Sequence, residues 1–374
     1  MKILILANYS MGLHNFRLEL IEELISQGHK VFFSLPESSD DGYVKCIANT
    51  GACHIQTQVN RRSINPLSDL ILVRSYKRII KETDPDVILT YTIKPNIYGT
   101  YAASRLKKPV IMNVTGIGSA LTNPRLRQIV LRMYKYACSK AVKIFFQNKE
   151  NLNFFIGGSV VKSSKTALLP GSGVNTAKFS PQDKQKNDGV IRFLFIGRLM
   201  KEKGVSEYLD AARAITEMYK NIEFQLLGPF EEEEYRTQIS AVDEKRIKYL
   251  GVSRDVRKEI RETDCIVNPS YHEGMSNVLL EAASMAKPVI ASDIPGCREI
   301  IEHGRNGFLF KPGSSVSLQE KIIQFIELKE HEKIQMGNES RRKVEKEFDR
   351  NIIVEEYVKE IEKLRTKDDK YEYL

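Results

Sequence analysis

Glu273 and Glu281 stand eight positions apart in the stretch Y-H-E-G-M-S-N-V-L-L-E-A-A-S-M-A-K-P at 271–288. A short apolar run at 265–267 precedes it and leads into a loop at 268–274. Val278, Leu279, Ala282, Ala283 and Ala286 then recur at helical spacing. Ser276 and Asn277 fall where helix-capping residues belong. Gly274 lets backbone approach a ligand closely. Free N–H groups at a helix start, at the positive end of its dipole, bind anions. An anion site flanked by two carboxylates suits a ligand with both phosphates and sugar hydroxyls. The amides would take a diphosphate, and the carboxylates would take hydroxyls. A capped helix with one solvated glutamate fits the same spacing, because glutamates are common.

A second chemical stretch, G-R-L-M-K-E-K-G at 197–204, follows the apolar run 191–196. It sets Arg198 and Lys203 in a strand-to-helix loop. Two cations there suit a diphosphate leaving group, whose negative charge grows in the transition state. A solvated basic loop is the plainer reading of the same residues.

Together the two stretches resemble the E-x7-E and G-R-x-x-x-x-K-G elements of the retaining glycosyltransferases of family 4, which have the GT-B fold. Gly173-Val174-Asn175 with Phe179 and Pro181, Ala291 to Gly296, and Asn306-Gly307-Phe308-Leu309 also fall where that family places its motifs. The resemblance implies an α/β protein with two Rossmann-like, doubly wound domains facing a cleft. It implies catalytic roles for Glu273, Arg198 and Lys203. Arg198 and Lys203 would contact the donor diphosphate, and Glu273 would hold donor-sugar hydroxyls near the reacting carbon. Glu281 would take the nucleotide ribose. Backbone at Gly274, Met275, Ser276 and Asn277 would complete the site, and the loop Gly251-Val252-Ser253 would face the base. The implied reaction retains anomeric configuration and needs no metal or other cofactor. Front-face attack, with a donor phosphate taking the acceptor's proton, is the usual alternative to a side-chain nucleophile.

In the first half, Gly12 is the one glycine of a loop where many members carry two, with Ser10 nearby. Many members carry a histidine that the segment Thr115-Gly116-Ile117-Gly118-Ser119 lacks. His14 is an alternative, and equally a surface histidine at a helix start. Lys94-Pro95-Asn96, with Gly116 to Ser119, resembles the subgroup that extends polyprenyl-diphosphate-linked sugars, the bacillosamine-lipid α-1,3-N-acetylgalactosaminyltransferases among them. Gly12, Lys94, Gly116 and Gly118 are thus binding candidates, with Lys94 facing a phosphate or capping a helix. The implied partners are a UDP-sugar and a polyprenyl-diphosphate-linked sugar acceptor. The implied place is cytoplasmic, peripheral at the inner face of the membrane. The sugar is an N-acetylhexosamine, or alternatively a galactose or glucose.

Strands that must position these groups are expected at 3–7, 29–35, 87–91, 110–114 and 144–147. Further strands are expected at 191–196, 223–227, 247–250, 265–267 and 289–291. Helices fall between them, at about 15–27, 67–82, 96–106, 125–140, 204–219 and 254–261. Apolar strands alternating with helices argue parallel sheets covered on both faces. Ligands in such sheets sit beyond the carboxyl ends of the strands. The polar run 182–189 reads as a linker. The expected domains are therefore 1–182 for the acceptor and 190–350 for the nucleotide sugar, with a C-terminal helix at 351–374 packing back toward the first.

Composition narrows the classes. Hydrophobic residues make up 42% of 374 residues, enough for two cores. No apolar run reaches the roughly 18 residues of a membrane span. The first residues read as a strand rather than a signal peptide. Five cysteines, at 46, 53, 138, 265 and 297, form no C-x-x-C, which points to a reducing compartment without structural zinc. Asp84-Pro85-Asp86 looks like a metal-binding D-x-D but precedes its strand, at the wrong end of a sheet. The acidic run 231–234 reads as a solvated loop or helix start.

Residues 1–189 hold 26 basic and 13 acidic side chains, and the remainder holds 31 and 35. A basic half meets an anionic partner. Arg125, Arg127, Arg132, Lys135, Lys140 and Lys143 line one stretch, and Arg61, Arg62, Arg74, Lys77, Arg78 and Lys81 another. Either an anionic membrane surface or plain solvent would suit them. A nucleic-acid-binding protein is the rival class. No recognition motif or stacking platform of the usual kinds supports it.

Overall fold

The computed structural model describes residues 1–58, 65–115, 124–185, 188–240 and 245–369. It divides into two units, Met1–Ser172 with Arg350–Leu374, and Gly173–Asp349.

The first unit is built on seven parallel strands. They are β1 (Lys2–Leu6), β2 (Lys30–Leu35), β3 (Cys53–Gln56), β4 (Val87–Tyr91), β5 (Val110–Val114), β6 (Lys143–Phe146) and β7 (Thr166–Leu168). Their order in the sheet is β3-β2-β1-β4-β5-β6-β7. Every residue of β4 and β5 is buried, as expected when helices cover both faces. The order reverses between β1 and β4, so the ends of these strands flank a switch point.

The first helix, Ser10–Ser26, begins earlier than expected. Gly12 therefore lies in its first turn and not in a loop. Ser10, Leu13, Arg17, Leu20, Ile21 and Leu24 are its buried positions, so the apolar stripe runs through the glycine without a break. Helix Pro66–Thr83 matches its sequence signals. Asn65 caps it, accepting from Leu67 N at 3.0 Å, and Pro66 stands at its first position. After β4 the expected helix is split into a single π-type turn, Pro95–Gly99, and a short helix, Thr100–Arg105. A Cβ on Gly99 would meet Leu6 Cδ1 at 2.8 Å, so this turn packs tightly on β1. Asp84 and Asp86 sit at the amino end of β4. Asp84 pairs with Lys108 at 2.6 Å, and Asp86 accepts from Lys2 N at 2.7 Å.

The last helix, Arg350–Asp369, belongs to this unit. It buries Ile353, Val354, Tyr357 and Ile361 in the core that includes β1 and β4 residues. Tyr357 Oη accepts from Asn113 Nδ2 at 2.5 Å. The buried Arg17 guanidinium lies 4.8 Å from the Tyr91 ring and 5.7 Å from the Tyr357 ring. Arg350 donates to Glu19 at 2.7 Å and to Asn15 O at 2.9 Å.

The second unit has six parallel strands. They are β8 (Ile191–Ile196), β9 (Ile222–Leu227), β10 (Ile247–Tyr249), β11 (Cys265–Asn268), β12 (Val289–Ser292) and β13 (Gly307–Phe310). Their order is β10-β9-β8-β11-β12-β13. The sequence reading had no strand at β13, which is only four residues long. A Cβ on Gly307 would meet Val289 O at 2.2 Å, so glycine is what lets β13 sit against β12. The boundary expected at 182–190 falls inside this unit, which begins at Gly173. Val174 N bonds Phe348 O at 2.9 Å. Ser284 donates to Phe179 O at 2.7 Å, and Lys184 pairs with Asp264 at 2.8 Å. A polar run looks like a linker in sequence, but here Lys184 and Asp188 fasten it to the unit through Asp264 and Arg192.

Tyr357→Ala removes a buried aromatic side chain and should cost about 3–5 kcal/mol of unfolding free energy in urea. Tyr357→Phe should cost only about 1–3 kcal/mol, through the Asn113 amide left unpaired.

Candidate active site

The strand order of the second unit reverses between β8 and β11. Both chemical stretches follow these two strands, at their carboxyl ends. The β8 loop closes in a 3-10 turn, Lys201–Lys203, and Gly204 at φ +69° starts helix Val205–Met218. A Cβ on Gly204 would lie 2.1 Å from Pro269 O in the β11 loop, so no other residue fits. Tyr271 N donates to Glu202 O at 2.9 Å across the same seam. With the loops locked together, Lys203 Nζ reaches Glu273 Oε1 at 2.7 Å. Both side chains keep some solvent contact, at 23% and 16% exposed.

Arg198 is placed differently. It is half exposed, and its Nη1 stands 3.6 Å from Glu231 Oε1. A pair this open is weakly held. The acidic run is thus not simply solvated. Glu231 faces Arg198, Glu232 accepts from Lys201 N at 3.0 Å, and Glu233 pairs with Arg236 at 2.7 Å. Two of its carboxylates brace the β8 loop.

The β11 loop is held by a residue that the sequence reading missed. Asn268, at the end of β11, is 7% exposed. Its Oδ1 accepts from Ser270 Oγ at 2.6 Å, and its Nδ2 donates to Ser276 Oγ at 2.6 Å. Ser276 in turn caps helix Asn277–Ser284. The only signal was an asparagine ending an apolar strand. Asn277 opens the helix with a buried Oδ1 that has no hydrogen-bond partner among the described residues. Glu281 lies on the same helix and is partly buried. The Met275 side chain is 6% exposed and packs in the core with Leu279 and Ile294, so only its backbone is available to a ligand. Val252 follows β10 and is 66% exposed beside Gly251 at φ +81°.

The β12 loop backs this site. Gly296, at φ +85°, accepts from Ser276 N at 2.9 Å. A Cβ there would lie 2.9 Å from Gly274 O and 3.0 Å from Glu273 Cβ. Cys297 beside it is buried, and burial pushes its thiol far up, so it stays neutral. Tyr271 donates to Glu207 Oε1 at 2.5 Å, a bond that pushes the phenol up to about 12.

In the first unit the candidates are spread out. Lys94 Nζ pairs with Asp69 Oδ1 at 2.7 Å, and Tyr98 donates to Asp69 Oδ2 at 2.6 Å. Lys94 is therefore fixed by a carboxylate 25 residues away, which no local pattern signals. Gly12 is helical, as described. His14 bonds Asn15 Oδ1 at 2.8 Å and lies 5.2 Å from the Tyr43 ring. Gly116 and Gly118 lie outside the described residues. Two unforeseen residues stand at the switch point. Asn8 follows β1, Thr92 follows β4 at φ +73°, and Asn8 Oδ1 and Thr92 Oγ1 are buried without a hydrogen-bond partner among the described residues. A strained, underbonded strand end is a mark of ligand sites.

Two family models match, Glycosyl transferase 4-like over residues 2–148 and Glycosyl transferases group 1 over residues 191–328. The chain belongs to the family 4 glycosyltransferases, and its fold is GT-B. A Campylobacter jejuni protein, N,N'-diacetylbacillosaminyl-diphospho-undecaprenol alpha-1,3-N-acetylgalactosaminyltransferase, is 26% identical over 96% of this chain and 98% of its own length. The UDP-Gal:alpha-D-GlcNAc-diphosphoundecaprenol alpha-1,3-galactosyltransferase of Escherichia coli is 27% identical over 67% of this chain and 68% of its own. Anabaena Alr3699/HepE, solved in complex with UDP-glucose, superposes with a TM-score of 0.77 at 20% identity, covering 97% of this chain and 100% of that one. The loops after β8 and β11 form the candidate site in this unit.

Gly296→Ala forces an alanine into a left-handed conformation against Glu273. Turnover of the glycosyltransferase should fall at least about tenfold while the fold survives, read by initial rates beside circular dichroism. Asn268→Ala strands the Ser270 and Ser276 hydroxyls and should cost about 1–3 kcal/mol of stability by urea titration.

Proposed function

We propose that this glycosyltransferase moves an N-acetylhexosamine from its UDP-sugar to a polyprenyl-diphosphate-linked saccharide, with retention and without a metal, in the assembly of a bacterial surface glycan. The Lys203–Glu273 pair at the switch point carries the reading. Lys203 would exchange Glu273 for the donor diphosphate. That frees the Glu273 carboxylate for donor-sugar hydroxyls. Arg198, loosely held by Glu231, adds a second cation to the leaving group. The capped start of helix Asn277–Ser284 supplies backbone N–H groups for phosphate. Glu281 takes the ribose hydroxyls, and the Val252 loop meets the base.

In this mechanism the acceptor hydroxyl attacks the anomeric carbon on the face the diphosphate leaves. The bond from that carbon to the diphosphate oxygen breaks as the new glycosidic bond forms. The hydroxyl proton passes to a phosphate oxygen of the leaving UDP. Arg198 and Lys203 stabilise the charge that develops there. In the first unit, Asn8 and Thr92 offer polar groups at the strand ends for acceptor hydroxyls. Lys94, paired with Asp69, positions the turn after β4.

The Campylobacter jejuni relative is named for N-acetylgalactosamine transfer to a lipid-diphosphate acceptor, which supports this donor and acceptor. A UDP-hexose donor is the second reading, favoured by the Escherichia coli galactosyltransferase and by the UDP-glucose bound to the Anabaena protein. Among the described residues no helix is long and apolar enough to cross a membrane. The enzyme would work as a peripheral protein at the inner membrane face, with its basic first unit toward anionic lipid.

A panel of UDP-GalNAc, UDP-GlcNAc, UDP-Gal, UDP-Glc and GDP-mannose, with and without EDTA, tests this reading. EDTA-resistant release of UDP from one donor is expected, and release only with added metal would overturn metal independence. Arg198→Ala with Lys203→Ala should lower turnover about 100-fold or more. Glu281→Gln should weaken UDP binding in calorimetry, and unchanged affinity would remove its ribose role.

A further inference from the structure

The two sides of the first unit's sheet differ in charge and in exposed apolar surface. One side carries helices Ser10–Ser26 and Arg350–Asp369, which pack on each other. Helix Ser10–Ser26 has three glutamates and a single basic residue, the buried Arg17. The other side carries helices Pro66–Thr83, Thr100–Arg105 and Pro124–Lys140, the second packed between the other two. Helix Pro124–Lys140 has five basic residues and no acid, and helix Pro66–Thr83 has four basic residues against two acids.

Side chains knit these three helices into one surface. Lys77 Nζ lies 5.7 Å from the Tyr101 ring, and the Arg105 guanidinium 5.2 Å from it. The Tyr101 and Tyr136 rings are 5.8 Å apart, and Lys140 Nζ lies 5.7 Å from the Tyr136 ring. This strip of tyrosines and cations crosses all three helices. Leu70 stands seven residues before Lys77, and Ile129 seven before Tyr136, so each shares its partner's helix face. They lie about 10 Å nearer the carboxyl end of the sheet, at 1.5 Å per residue. Leu70 is 48% exposed, Ile129 is 56% and the neighbouring Ile71 is 60%.

We propose that this three-helix face is the surface by which the enzyme docks on an anionic bilayer. Leu70, Ile71 and Ile129 enter the headgroup region, Tyr101 and Tyr136 lie at its level, and the lysines and arginines meet lipid phosphates. Amphipathic tyrosines beside cations, with aliphatic tips ahead of them, fit such an interface. Nucleic acid would use the cations but not the aliphatic tips. A second copy of the chain would bring one cationic face against another, which repel. The aliphatic tips lie toward the carboxyl ends of the strands, where Asn8 and Thr92 stand, so docking would hold that edge near the membrane. The proposal rests on the lipid-linked acceptor above for what docking serves.

Flotation with phosphatidylcholine vesicles, with and without phosphatidylglycerol, tests the surface. The full chain should float only with the anionic vesicles and should be released by salt. Arg78→Ala/Lys81→Ala/Lys140→Ala should lower partitioning about 100-fold. Leu70→Ser/Ile71→Ser/Ile129→Ser should lower it about tenfold. Lys359→Ala/Lys363→Ala, on the opposite side, should leave it unchanged. Equal binding to neutral vesicles, or undiminished flotation of both surface variants, would overturn the proposal. So would a wild-type dimer in light scattering that the serine variant dissolves, or tighter binding to DNA than to vesicles. UDP release measured without vesicles separates the two readings, because it follows the donor site alone and should be the same in every surface variant.

Discussion

The second unit depends on one close approach. The backbone at Gly204 lies so near Pro269 O that a single methyl group there would overlap it. That contact fuses the loops after β8 and β11, which come from strands on opposite sides of the switch point. The Lys203–Glu273 pair is a consequence, since both side chains project from the fused seam. Gly296 repeats the device from behind, pressing the β12 loop onto Glu273 and Gly274. Three short loops held backbone to backbone keep a cation, a carboxylate and a helix start at fixed separations, which the proposed glycosyl-donor site requires. Loops otherwise tend to be mobile, so a glycine seam is how a loop-borne site becomes preorganised.

Charge follows a different logic. In the second unit it is paired and local, as in Lys203 with Glu273, Lys184 with Asp264 and Arg305 with Glu339. In the first unit it is sorted by face. One helical layer is acid-rich, and the other is basic with aliphatic side chains left in water. Folding alone does not ask for that sorting, because exposed leucines and isoleucines beside exposed cations add little to stability. The buried Arg17, resting on Tyr91 and Tyr357, shows the opposite use of a cation, as a bolt between the last helix and the sheet.

The strained places also sort by role. Thr92 at φ +73°, the π-type turn that follows it and the underbonded Asn8 all gather at the β1–β4 switch point. Asp84, at φ +45°, is only the turn that ends a helix, and its carboxylate is satisfied by Lys108. Position relative to the carboxyl ends of the strands separates the two kinds.

Much was legible in the chain itself. Apolar runs alternating with helical stripes determined two parallel sheets, because strands buried on both faces leave a continuous apolar trace. The spacing of Arg198, Lys203, Glu273 and Glu281 picked out the candidate site, since loop and helix periodicity are local properties. What only the tertiary structure decided were pairings between distant positions. Lys94 belongs to Asp69, Arg198 faces Glu231, Asn268 anchors Ser276, and the polar run near 184 is tied to Asp264. Helix Ser10–Ser26 took in Gly12 because burial of Leu13 and Arg17 outweighed the small helix cost of a glycine. The strand β13 opens on a glycine, a residue that does not announce a strand, and it sits against β12 because Gly307 can lie against Val289. A sequence states which side chains recur and at what interval, while the partner of a buried or half-buried charge is set by which loops the sheet order brings together.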